Sequence, residues 1–171
     1  MKNIKVLFDE ETINARVEEL AQELYQVYGD EEVVFVCALK GAVFFACDLL
    51  KKYPGDARIE FLKASSYQGK KSTGKVSLNL SVSKENIENR HVVIIEDIVD
   101  TGNTLVFLNN YLCNMNPRSL VTCALLDKKI KRVMDVDPTY SGFVIDDLFV
   151  IGYGLDYDGK YRNLPYIGVL E

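Results

Sequence analysis

The sequence predicts an α/β fold with a central parallel sheet flanked by helices. Three runs, "EVVFVCAL" (32–39), "HVVIIEDI" (91–98) and "SLVTCALLD" (119–127), read as buried strands, the first apolar on both faces as a central parallel strand must be. Helical periodicity returns between them, and strands that alternate with helices are laid parallel by their crossovers. The chain of 171 residues is long enough for one sizeable core, and no repeat, linker or low-complexity tract divides it, so a single domain over 1–171 is expected.

Residues 12–28, "TINARVEELAQELYQVY", place Ile13, Val17, Leu20, Ala21, Leu24 and Tyr28 at helical spacing, with Gly29 as a stop. "GAVFFACDLLKKY" after the first buried strand is helical again, which leaves Lys40 and Gly41 in the tight loop. "ARIEFLKASSY" (57–67) reads as the next strand and "VSLNLSV" (76–82) alternates like a half-exposed one. The polar "QGKKSTGK" between them makes a long hairpin arm. "NTLVFLNNYLCNM" (103–115) is a helix, and "DLFVIGYGLDY" (147–157) supplies a further short strand.

Composition removes several functions. With 48% hydrophobic and 26% charged residues the chain is an ordinary packed domain, and a net charge of -5 argues against a nucleic-acid surface, which needs clustered Lys and Arg. The basic run "DKKIKR" (127–132) is too short to reverse that. No apolar run approaches the roughly 20 residues of a membrane span, and the N-terminus lacks a signal-peptide core, so a cytoplasmic protein is expected. Cys37, Cys47, Cys113 and Cys123 show no C-x-x-C spacing, lie in apolar settings and are expected to be reduced. His91 is the only histidine and reads as a strand-entry residue.

"GKKSTGKV" (69–76) nearly spells a P-loop, but Val76 stands where the metal-binding hydroxyl belongs and a strand follows where a helix is required. "GYGLDYDG" lacks the glycine spacing of a dinucleotide loop and the oxygen ligands of an EF-hand. "VVIIEDIVDTGNTL" (92–105) has the right order for a phosphate site: buried strand, hydroxyl- and glycine-rich turn, helix start. Amides at a helix N-terminus bind anions, Thr101 and Thr104 add hydroxyl donors, and Gly102 allows close backbone approach. Glu96, Asp97 and Asp100 are a costly cluster of like charge, relieved by a metal, sugar hydroxyls or a proton. A sugar phosphate with a divalent cation satisfies both halves.

At these residues the sequence resembles the type I phosphoribosyltransferases, whose signature for phosphoribosyl pyrophosphate (PRPP) looks like "VVIIEDIVDTGNTL". "FVIGYGLDYDGKYRNLPYIGVL" (149–170) is similar to the C-terminal segment of the bacterial hypoxanthine phosphoribosyltransferases. "ALKGAVFFACDLL" (38–50), "SSYQGKKSTGKV" (65–76) and "LLDKK" (125–129) extend the resemblance collinearly over nearly the whole chain. It implies a type I phosphoribosyltransferase fold, with a small hood built from the N- and C-terminal segments, base-binding from about 140 to 171, and a flexible lid at about 65–76. The implied activity is purine salvage: ribose 5-phosphate passes from PRPP to hypoxanthine or guanine, giving IMP or GMP and pyrophosphate, with Mg2+ as cofactor. The family's usual assembly implies a homodimer or homotetramer.

The resemblance also assigns roles. Asp100, Thr101, Gly102, Asn103 and Thr104 would hold the 5-phosphate, and Asp100 would be the general acid/base beside the purine imidazole ring. Glu96 and Asp97 would face the ribose and, with Asp156 and partly through water, the metal. Lys40, Gly41 and Arg162 would bind pyrophosphate; in the family the peptide before this lysine is often cis. Lys128 would donate to the six-oxo group and so reject adenine, Phe149 would stack on the base and the backbone of Val150 would read its edge. Ser66 and Tyr67 match the lid tip, which shields the reacting sugar from water. Asn103 stands where relatives carry either Asn or a basic residue, and "SSY" stands where some carry a lysine. Two other readings remain at this point: a transferase preferring xanthine or guanine, and a regulator of the same fold that senses PRPP or nucleotides without turnover.

Overall fold

The computed structural model describes residues 4–66 and 76–170, with the side chains of 65, 66 and 76 also outside the description. Strand β1 (Ile4–Phe8) leads into α1 (Glu10–Tyr28), where the Asp9 carboxylate caps the helix by accepting from the Thr12 amide at 2.8 Å. The residues α1 buries are Ile13, Val17, Leu20, Ala21, Leu24 and Tyr28, the stripe that its periodicity predicts. β2 (Val33–Ala38), α2 (Val43–Lys52), β3 (Ala57–Ser66) and β4 (Val76–Leu80) follow. β5 (His91–Val99), α3 (Asn103–Cys113), β6 (Ser119–Asp127) and β7 (Tyr140–Val144) complete the main sheet, and β8 (Val150–Ile151) and β9 (Ile167–Leu170) close the chain.

The main sheet has the order β4-β3-β2-β5-β6-β7 and is parallel except for the β3–β4 hairpin. β2 is buried at every position because both faces are covered. Phe35, Cys37, Val93 and Ile95 pack with α1 and α2, whereas Val34, Val36, Val92 and Ile94 pack with Leu108 and Leu112 of α3. Each such side chain contributes about 1.5–3 kcal/mol by leaving water. β1, β9 and β8 form a separate antiparallel sheet that joins the two ends of the chain, as expected of the hood.

The further strand expected at 147–157 is only Val150–Ile151, and β1, β7 and β9 went unread. These strands are short, and β1 and β9 have partners at the opposite end of the chain. The cysteines also differ from expectation: Cys37 and Cys123 are buried, but Cys47 and Cys113 are exposed, because each lies on the outer side of its helix. His91 does open β5, with Nδ1 2.7 Å from the Ser119 hydroxyl. Tyr67 and the rest of the arm, residues 67–75, lie outside the described residues, as does the Ser66 side chain.

Candidate active site

Three parallel strands end side by side, and each delivers a predicted loop at its carboxyl end. β2 delivers Lys40 and Gly41, β5 delivers residues 96–102, and β6 delivers Lys128. Ligands of open α/β sheets bind along this edge.

Between Val99 and Asn103 the chain turns in three residues, and Gly102 adopts φ +88° just before α3. A side chain at 102 would be strained, and its Cβ would sit 2.9 Å from Val136 Cγ1. Asn103 and Thr104 are exposed, so the N-terminus of α3 is open to an anion. A concavity of about 80 Å³ is lined here by Glu96, Asp100, Thr101, Gly102 and Thr104.

Glu96 is 6% exposed, and its Oε1 is buried with no hydrogen-bond partner. Burial, then the neighbouring Asp97, raise its carboxyl well above the usual range. Burial also pushes Asp97 up to about 6, against the opposing pull of the Ile98 amide, which donates to its Oδ1 at 2.8 Å, and of Arg162. The Asp97 carboxylate lies against Gly41 so closely that a Cβ at 41 would fall 1.5 Å from Oδ2. Gly41 in turn touches the hood: a Cβ at Gly154 would lie 2.0 Å from the Gly41 carbonyl oxygen. The peptide between Leu39 and Lys40 is cis, and Lys40 is exposed.

Arg162 donates to the Gly154 carbonyl at 2.5 Å and pairs with Asp156 at 2.7 Å, while Asp156 also accepts from the Gly159 amide at 2.7 Å. Among the described residues no three His, Cys, Asp or Glu side chains converge to hold an ion unaided. The carboxylates of Glu96, Asp97 and Asp156 are donors of the kind that hold Mg2+ together with waters and phosphate oxygens. The orphaned Glu96 oxygen is consistent with that use.

On the other side of Asp100 a larger concavity of about 260 Å³ is bounded by Asp97, Asp100, Lys128, Phe149, Val150 and Leu155. Lys128 is 7% exposed, and its amide donates to the Val99 carbonyl at 2.9 Å. Its Nζ lies 3.9 Å from Asp100 Oδ2 and 3.7 Å from Asp147 Oδ1. Phe149 is 56% exposed beside this space, and Tyr157 meets it edge-on at 5.7 Å between ring centres. Val150 lies in β8 with its backbone paired to β9.

Of the predicted site residues, Glu96, Asp100, Thr101, Gly102 and Thr104 line the first concavity and Asp97, Asp100, Lys128, Phe149, Val150 and Asp156 the second, with Gly41 against Asp97 and Arg162 paired to Asp156, whereas Lys40 and Asn103 line neither. The structure adds Asp147, Tyr157 and Arg132, which sequence reasoning missed. Arg132 is 11% exposed on its side chain and pairs with Asp127, which is 2% exposed. The available signal was the acid that opens "DKKIKR", since a buried strand ending in Asp calls for a cationic partner.

Residues 3–158 match the family described as Phosphoribosyl transferase domain. The chain is 47% identical over 171 residues to the hypoxanthine-guanine-xanthine phosphoribosyltransferase of Tritrichomonas foetus, covering 98% of this chain and 91% of the relative. It is 40% identical to the hypoxanthine-guanine phosphoribosyltransferase of Aquifex aeolicus, over 99% of this chain and 96% of that one. The crystal structure of a hypoxanthine-guanine phosphoribosyltransferase from Bacillus anthracis superposes with a TM-score of 0.92 at 40% identity, covering 99% of this chain and 100% of the other. With the fold, the signature loop and the full length all in agreement, the chain belongs to the phosphoribosyltransferase family, among the hypoxanthine phosphoribosyltransferases.

Proposed function

We propose that this enzyme transfers ribose 5-phosphate from PRPP to hypoxanthine and guanine, forming IMP or GMP and pyrophosphate in purine salvage. The observation that carries the reading is the position of Asp100, which lines both the phosphate-loop concavity and the Lys128–Phe149 concavity and holds a buried, unpartnered Oδ1. A carboxylate in that place can face the ribose carbon and the base at once.

In this reading the 5-phosphate sits on the loop from Asp100 to Thr104, and the ribose hydroxyls face Glu96 and Asp97. The bond from the anomeric carbon to pyrophosphate breaks and pyrophosphate keeps the electron pair. An imidazole nitrogen of the purine bonds to the same carbon, and the proton it sheds passes to Asp100. Lys40, Gly41 and Arg162 receive the pyrophosphate, and Arg162 has donors beyond those spent on Gly154 and Asp156. Bound Mg2+ would supply charge neutralisation of the departing polyanion. Lys128 donates to the six-oxo group, and Phe149 stacks on the ring.

We place the enzyme in the cytoplasm as a homodimer or homotetramer, which sedimentation would test. Among the described residues no helix is long and apolar enough to cross a membrane. The decisive assay offers hypoxanthine, guanine, xanthine and adenine in parallel with PRPP and magnesium. Formation of IMP and GMP without AMP is the expected result. Xanthine as the best substrate would replace the base assignment, and PRPP binding with no product from any base would make the protein a sensor.

A further inference from the structure

Three successive carbonyl groups at the end of β5 are held by one short segment of chain. Val99 O accepts from the Lys128 amide at 2.9 Å, Asp100 O from Arg132 Nε at 3.1 Å, and Thr101 O from the amides of Val133 at 3.0 Å and Met134 at 3.1 Å. In a trans peptide the N–H points opposite to the C=O of the same unit. Holding the carbonyls of Asp100 and Thr101 on this segment therefore turns the amides of Thr101 and Gly102 away from it, toward the open side of the loop.

Arg132 is the side chain in this arrangement, and each nitrogen of its guanidinium donates a hydrogen bond. Beyond Asp100 O it donates to Asp127, to the Val136 carbonyl and to Asp137 at 2.7 Å. Its stem closes the space under the turn, since a Cβ at Gly102 would lie 3.0 Å from Arg132 Cδ. A planar fork fixed at all its nitrogens has little freedom to relax, so the loop above it is set before any ligand arrives.

We propose that Arg132, locked by Asp127, is a positioning residue for the ligand's 5-phosphate: it pins the Asp100 carbonyl and packs beneath Gly102, so that the loop amides face the phosphate in advance. This rests on the assignment of Asp100 to Thr104 as the 5-phosphate loop. Arg132 itself touches no ligand.

The test compares the dissociation constants of IMP and inosine, which differ only by the 5-phosphate, for the wild type, Arg132→Met and Arg132→Lys. Both variants are expected to bind inosine as the wild type does while IMP affinity falls about tenfold or more, the scale expected when a binding group is misplaced by a fraction of an ångström. A merely structural role would lower the melting temperature and leave the IMP-to-inosine ratio unchanged, and that result in a folded variant overturns the proposal. If Arg132→Met does not fold, Arg132→Lys decides, because it keeps the charge and most of the stem but loses the fork. A wild type that binds IMP no tighter than inosine would instead remove the phosphate-loop assignment itself.

Discussion

The ammonium of Lys128 lies 3.9 Å from Asp100 Oδ2, so the cation assigned to the purine and the carboxylate assigned to its proton are neighbours before either meets a ligand. The contact joins the ends of two adjacent strands, β5 and β6, whose last registered pair is Val99 with Asp127. On the proposed assignments the purine would be read and deprotonated from one edge of one sheet.

Replacing Asp100 by Ala should leave PRPP binding in place and lower kcat by about 10²- to 10⁴-fold, the usual worth of a positioned acid/base. Single-turnover kinetics beside a PRPP titration checks this. Near wild-type turnover would remove the assignment.

Lys128→Ala should weaken base binding by about 10- to 100-fold, as expected for a lost hydrogen bond to a charged donor, with PRPP affinity kept. Asp147 holds the same ammonium at 3.7 Å and is itself shared with Lys131 at 3.0 Å. Asp147→Asn should therefore raise KM for the base by no more than about fivefold, because Asp147 is itself half exposed and solvent screens its pull on Lys128, with kcat unchanged. Equal losses for base and PRPP in either variant would point to misfolding instead.

A methyl group at position 41 has no room, because it would fall 1.5 Å from Asp97 Oδ2. Gly41→Ala should cost about 1–3 kcal/mol of stability through overpacking and weaken PRPP and pyrophosphate together. Thermal melting and a pyrophosphate titration test this prediction; an unchanged pyrophosphate affinity contradicts the assigned role.

Asp97 carries a sign that can be checked. Its carboxyl rises from 3.8 to about 6 on folding, so the folded protein holds that proton more tightly than the unfolded chain. The associated stability is full below pH 3.8 and is lost as the pH rises through about 6. An Asp97→Asn variant, which mimics the protonated acid, should match the metal-free wild type in melting temperature near pH 4 and exceed it at pH 7. A difference that shrinks with rising pH would show that the carboxylate is welcome there without a cation.

Much of this was legible in the chain because it is local. The stripe of α1 from Ile13 to Tyr28 and the double-sided burial of β2 follow from periodicity alone, and the loop from Asp100 to Thr104 announces itself by order and composition. Arg132 was only half legible: the strand-ending Asp127 calls for a cation without saying which one. Its neighbours Lys129 and Lys131 are exposed, so the run reads as solvated, and only the fold shows that the arginine turns inward to Asp127. β1 and β9 were hidden for a related reason: a pairing such as Ile4 with Leu170 joins opposite ends of the chain, and no local pattern encodes it.

The touch of Gly154 on the Gly41 carbonyl puts main chain against main chain, with no side chain between them to absorb a displacement. The hood and the loop after β2 therefore share one boundary, which on the proposed assignments separates the base from the pyrophosphate. Occupancy on either side of such a boundary is reciprocal: if bound pyrophosphate alters the affinity for the base by some factor, the base must alter the affinity for pyrophosphate by the same factor. A contact between two glycines is then the place where each site would register the occupancy of the other.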